Sequence, residues 1–261
     1  MFLQNGANII KFPKKQIIFF LLLVIFDNFI SSPLFNYLKI HNWKYIIAFK
    51  LVELIFGLIL NNLIFHQKIY FKLSAGKNTK ILSIAIILFL ILSSISNTRY
   101  LFISLIIGIC AAIPEECLFR GIILGSLLND NRENINKKSL LYCLIISSTL
   151  FALYHIGNIQ SQNLTMTIMQ VFETFGMGCL FGAVYIRKGS ILLSFLLHFF
   201  IDFTGTIGNG QIVNNSPSQY KYSIVISLIY MLIFSIIAFN ILNIDNKSKW
   251  ELPIRIKSTN P

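Results

Sequence analysis

The sequence AAIPEECLFRGIILG, at residues 111–125, places three ionisable side chains inside a long apolar segment. This segment covers about residues 100–128, which is long enough to cross a membrane as a helix. A charged side chain at mid-bilayer costs about 2.5–3.5 kcal/mol on the insertion scale, so three cost roughly 8–10 kcal/mol together. We therefore expect Glu115, Glu116 and Arg120 to be paired or hydrated in a cavity, and to have a functional role.

Helical geometry separates the two glutamates. Glu116 and Arg120 are four residues apart, about 40° around a helix, and can form an intrahelical ion pair. Glu115 points about 100° away from Glu116 and has no such partner on its own helix, which leaves it free to act. Pro114 can loosen the backbone just before it and admit water or a ligand. The alternative, that the cluster only holds helices together, stays open.

The whole chain has the composition of a polytopic membrane protein. It has 261 residues, of which 55% are hydrophobic and 12% are charged, and its mean hydropathy is +0.71. The expected fold class is all-α, with about eight transmembrane helices. The apolar spans cover about residues 16–32, 45–66, 81–96, 100–128, 139–157, 164–186, 190–208 and 222–243.

Lys and Arg residues alternate in abundance between these spans. With both termini in the cytoplasm, most of them fall on the inner side, as the positive-inside rule requires. The net charge of +12 is then explained by topology and by attraction to the lipid bilayer, without a nucleic-acid partner. We expect a multi-pass protein of a bacterial cell membrane.

Two later spans carry paired polar residues. Phe151 and His155 share one helical face, and so do His198 and Asp202. A carboxylate can fix the tautomer of the histidine, or the two side chains can both bind a metal. Glu173 in the sixth span is expected either near the site, as a supporting group or substrate contact, or in a structural role.

These groups lie at comparable depths in the bilayer, with His155 the outlier at about 25 Å from the cytoplasmic end of its span. If they meet, the acidic side chains outnumber Arg120, so the site must share a proton or bind a divalent cation. Either solution activates water. A zinc ion held by His155, His198 and the carboxylate of Asp202 or Glu115 therefore remains an alternative to a metal-independent site.

The three pairs, in EECLFR, FALYH and HFFID, resemble the EExxxR, FxxxH and HxxxN/D motifs of one family. It is the family of type II CAAX prenyl proteases and of the Abi or CPBP bacteriocin-processing and immunity enzymes. The resemblance covers about residues 101–205 and implies a four-helix catalytic core at 100–208. We expect a three-helix scaffold at 1–99, which includes Asp27, Lys50 and Glu53, and a C-terminal helix with a basic cytoplasmic tail at 209–261.

The resemblance also implies roles for the site residues. Glu115 would activate water with the help of His155, and Glu116 and Arg120 would be a structural pair. His198 and Asp202 match positions that bind the developing oxyanion in prenyl-protein processing enzymes. An ionised Asp cannot donate a hydrogen bond to an oxyanion, so Asp202 would instead orient His198, be protonated, or bind a metal.

The expected function is that of an intramembrane endopeptidase acting on peptides or proteins at the membrane, such as secreted or immunity-related peptides. A second hypothesis is a non-catalytic bacteriocin-immunity or envelope-factor protein that acts by binding partners. A third is a proton- or ion-coupled transporter, which is disfavoured because the sequence shows no second copy of the charged helix.

Overall fold

The computed structural model describes residues 10–72, 76–209 and 224–243, which form eight long helices and contain no β-strand. The expected all-α fold is confirmed. The helices are α1 (Lys14–Tyr37), α2 (Asn42–Ile64), α3 (Lys77–Ser96), α4 (Thr98–Asp130), α5 (Lys137–Gln160), α6 (Leu164–Lys188), α7 (Leu192–Asn209) and α8 (Ile224–Asn243).

Six of the eight helices are long and apolar enough to cross a membrane, so the fold is that of a multi-pass membrane protein. The other two, α3 and α7, contain the shorter apolar stretches Thr79–Ile95 and Leu192–Gly208. The start of the eighth span at residues 222–223 and the basic tail at 244–261 lie outside the described residues. The cytoplasmic location of both termini stays a prediction.

Helix α4 lies at the centre of the fold. It packs against α2, α5 and α7, and every residue from 114 to 128 is buried. An apolar helix of this kind is surrounded by protein, because its surface is covered on all sides. The charged side chains in α4 therefore face neighbouring helices, and lipid does not reach them.

The backbone is irregular where the polar side chains lie. In α4 the α-helix of Leu101–Glu115 becomes a π-helix at Glu116–Leu124, two residues after Pro114, which cannot donate a backbone hydrogen bond. In α1 a π-helical turn covers Asp27–Ser31, and α5 tightens to a 3₁₀-helix at His155–Gln160. Such departures from α geometry are frequent at functional sites.

Small residues allow close packing at two places. Gly178 and Gly182 of α6 face α5, where an added Cβ would lie 3.0 Å from Ser148 Cβ and 2.5 Å from Leu144 Cδ1. The two glycines have the GxxxG spacing that is typical of closely packed membrane helices. The corresponding pair in α4, Gly121 and Gly125, contacts Ile69 and Gln67 in the segment between α2 and α3, so it admits a connecting segment rather than a helix.

We predict that Gly178→Val lowers the stability of the fold by about 1–3 kcal/mol, because the added methyl groups must displace the backbone of α5 at Ser148. Thermal unfolding of the purified protein in detergent measures this. Gly208→Val is the control, since Gly208 is exposed and has no atom within 4 Å of an added Cβ. An equal effect of the two substitutions would contradict the close α5–α6 contact.

Candidate active site

Four predicted site residues, located on α4, α5 and α7, lie close together. Glu115 Oε2 lies 4.0 Å from His155 Nε2 of α5 and 3.7 Å from His198 Nε2 of α7. One turn further along α7, Asp202 Oδ2 lies 3.3 Å from the same His198 nitrogen. One carboxylate oxygen thus faces two imidazole nitrogens, with a second carboxylate beside them.

The position of His155 differs from the depth estimate. Counting residues at a constant rise placed His155 deeper than the other groups, yet its ring lies within 4.0 Å of Glu115. The counted residues form a regular α-helix up to Tyr154, so the difference lies in how α4 and α5 are placed against each other, which a count along one helix does not contain. The side chain of Asp202 is the most exposed of the four at 23%, whereas those of Glu115 and His198 are nearly covered.

A buried ion pair, Arg120 with Glu116, lies next to these four residues. Arg120 Nη1 lies 3.0 Å from Glu116 Oε1, and both side chains are almost completely buried. The guanidinium lies over the ring of Phe151, with its Cζ 4.1 Å from the ring centroid, and 5.2 Å from that of Phe181. Cation–π contact and ion pairing together compensate for the loss of hydration of Arg120.

The hydrogen bonds fix how the two imidazoles are presented. His155 Nδ1 donates to the backbone oxygen of Phe151 at 2.9 Å, which leaves Nε2 as an acceptor directed at Glu115. His198 Nδ1 donates to Glu116 Oε1 at 2.8 Å, so the buried ion pair orients this ring as well. As an imidazolium, His198 also donates from Nε2 towards Asp202.

Glu115 has a partner that we did not expect. Lys50 of α2 places its Nζ 2.8 Å from Glu115 Oε1 and 2.9 Å from Glu53 Oε2. The sequence offered Glu115 no partner on its own helix, and the structure gives it one from another helix. Lys50 and Glu53 were assigned to the scaffold, although two ionisable residues three apart in an apolar span carried the same signal as the cluster in α4.

The polar region continues from Lys50 towards α1. The Tyr154 hydroxyl donates a hydrogen bond to Asp27 Oδ2, and the Tyr154 ring lies 5.6 Å from Lys50 Nζ. Asp27 and Glu53 are both buried. The first two helices therefore contribute charged groups next to the site, in addition to covering it.

Glu173 takes part in a different contact. Its Oε1 accepts a hydrogen bond of 2.6 Å from Ser227 Oγ, which joins α6 to α8. This contact fits the structural role among the two that the sequence left open.

The donor set does not fit a bound metal. The part of the chain that the structure describes contains no group of three His, Cys, Asp or Glu side chains arranged to hold an ion. A divalent cation on Glu115 would also lie beside the Lys50 ammonium, which is 2.8 Å from that carboxylate. We therefore derive no step through a metal.

A buried carboxylate that faces two imidazoles, in a helical protein with membrane-spanning helices, is an arrangement that can activate a water molecule. Residues 97–204 match the model of the family described as type II CAAX prenyl endopeptidase Rce1-like. This match supports the family indicated by the three motifs, over the part of the chain in which those motifs lie. No curated protein and no solved structure matches the chain. Lys50 and Glu53 lie outside the matched residues.

We predict that Arg120→Met destabilises the protein by about 3–5 kcal/mol, because it leaves Glu116 charged and buried without its partner. Thermal unfolding in detergent measures the loss. Adding Glu116→Gln to this variant should recover part of it, since the unpaired charge is then removed. A double variant as unstable as the sum of the two single variants would contradict the pairing.

Proposed function

We propose that this protein is an intramembrane endopeptidase that hydrolyses peptide bonds with water activated by Glu115 and His155. The observation that carries the proposal is the position of Glu115 Oε2, opposite the Nε2 atoms of His155 and His198. The match of residues 97–204 to a membrane protease family supports the same reaction class.

The distance from Glu115 Oε2 to His155 Nε2 favours a shared water molecule. At 4.0 Å it is too long for a direct hydrogen bond, and it suits one water that donates to both atoms. Glu115 accepts a proton from this water, and the hydroxide oxygen bonds to the carbonyl carbon of the peptide. The C–N bond then breaks, and the proton passes from Glu115 to the leaving amine.

His198 is the group proposed to stabilise the negative charge on the carbonyl oxygen. Its Nδ1–H is bound to Glu116, so its Nε2–H is directed to the side where Glu115 and Asp202 lie. Asp202 Oδ2, 3.3 Å away, can accept a hydrogen bond from this nitrogen. A fixed donor in a site with little water stabilises a developing oxyanion strongly, because it does not need to reorganise during the reaction.

The proposed substrates are membrane-associated or secreted peptides. Asp202 is the most exposed of the four residues, so a peptide is proposed to approach along its side of α7. An extended backbone entering there would place a carbonyl oxygen near His198 and its carbon near the water on Glu115. Envelope proteins and immunity-related peptides are the proposed natural targets.

The direct test is hydrolysis of a fluorogenic peptide library by the purified protein in detergent or liposomes. We expect Glu115→Gln to lower kcat by about 10²–10⁴-fold, the usual contribution of a general base, because an amide cannot accept the proton. Glu133→Gln is the matched control, since Glu133 is exposed in the turn after α4. Full activity of Glu115→Gln, or no hydrolysis by the wild type, would refute the proposal and favour a binding protein.

We also predict that Asp202→Asn keeps measurable hydrolysis, whereas Asp202→Leu loses about 10²-fold or more in kcat. The amide oxygen can still accept from His198 Nε2, and its NH₂ group can donate to the carbonyl oxygen; leucine can do neither. Steady-state kinetics on the same peptide distinguishes the two variants. Equal losses would mean that the charge of Asp202 matters, and its hydrogen bonds do not.

A further inference from the structure

Lys50 is the charged group nearest to the oxygen of Glu115 that faces away from the histidines. Its Nζ lies 2.8 Å from Glu115 Oε1 and 2.9 Å from Glu53 Oε2. The Lys50 side chain is 17% exposed, and that of Glu53 is completely buried. The ammonium thus joins a carboxylate of the site in α4 to a carboxylate of its own helix α2.

We propose that Lys50, held by Glu53, is the positioning residue that orients Glu115 for hydrolysis. This inference rests on the proposed function. It adds to the site a residue from α2, which lies outside the segment that matches the protease family.

The two oxygens of Glu115 have different neighbours. Oε1 contacts the Lys50 ammonium, while Oε2 faces the Nε2 atoms of His155 and His198 at 4.0 and 3.7 Å. The terminal torsion of a glutamate is broad, so an unheld carboxylate samples many orientations. Fixing Oε1 therefore presents Oε2 to the water in one orientation, and a 1 Å displacement of a reacting group can cost about 10²-fold in rate.

Three helices hold the ammonium in place. Glu53 lies one turn along α2 from Lys50, Glu115 is on α4, and the Tyr154 ring of α5 is 5.6 Å from Nζ. Neither oxygen of Glu53 has a hydrogen-bond partner among the described residues, so its contact with Lys50 is an ion pair. Burying a carboxylate is costly unless a cation compensates for it, so Glu53 is explained by its contact with Lys50.

Lys50 acts through Glu115 and is not the base itself. Its ammonium has no lone pair to accept a proton, and it contacts the oxygen on the side opposite to the histidines. A role limited to joining α2 and α4 would affect the amount of folded protein but not the turnover of each folded molecule. Kinetic constants per folded molecule therefore separate positioning from structural support.

The test compares Lys50→Met, Lys50→Arg and Lys44→Met in peptide hydrolysis. The concentration of folded protein is taken from the monodisperse peak in size-exclusion chromatography, so that kcat refers to folded molecules. We expect Lys50→Met to lower kcat by about 10²-fold with KM within about threefold, and Lys50→Arg to recover most of the loss because it keeps the cation. Lys44→Met should be unchanged, since Lys44 is exposed on the same helix, over the Trp43 ring. An unchanged kcat in Lys50→Met, alongside an inactive Glu115→Gln, would overturn this inference and leave the proposed function standing.

A second measurement does not depend on activity. Thermal unfolding of Lys50→Met, Glu115→Gln and the double variant reports whether the two side chains interact. We expect the double variant to lose less than the sum of the two single shifts in Tm, because it leaves no unpaired charge at Glu115. Additive shifts would overturn the pairing, even if the wild type showed no hydrolysis and the proposed function had failed.

Discussion

Charges buried away from water must have partners, and this constraint determines the centre of the molecule. Glu116, Arg120 and His198 form a connected set, and Glu115 is joined to Lys50. Each group compensates a neighbour from another turn or another helix. The positions of α2, α4 and α7 relative to each other are therefore tied to the same contacts that build the site.

The same contacts position the side chains of the proposed reaction. Arg120 and His198 both contact Glu116, whereas Glu115 faces His155 and His198 and is the acid available for the proposed reaction. Phe151 contributes through its ring and its backbone: the ring lies against Arg120, and the backbone oxygen accepts from His155. Structural and proposed catalytic groups are thus one network, with different tasks for neighbouring residues.

Two helix segments at this network depart from α-helical geometry. The π-helical segment after Glu115 and the 3₁₀ turn at His155 change which side chains face each other at a given depth. The π-helical segment begins two residues after Pro114, whose backbone nitrogen cannot donate a hydrogen bond.

The sequence by itself determined the helical membrane fold, the resemblance of residues 97–204 to a protease family, and the ion pair between Glu116 and Arg120, because hydropathy and spacing along one helix are local properties. Its motifs also led us to expect that the histidines of α5 and α7 lie near Glu115. Only the tertiary structure decided that Lys50 of α2 contacts Glu115, and that Glu173 contacts Ser227. Partners on different helices depend on how those helices pack, which no single-helix pattern contains.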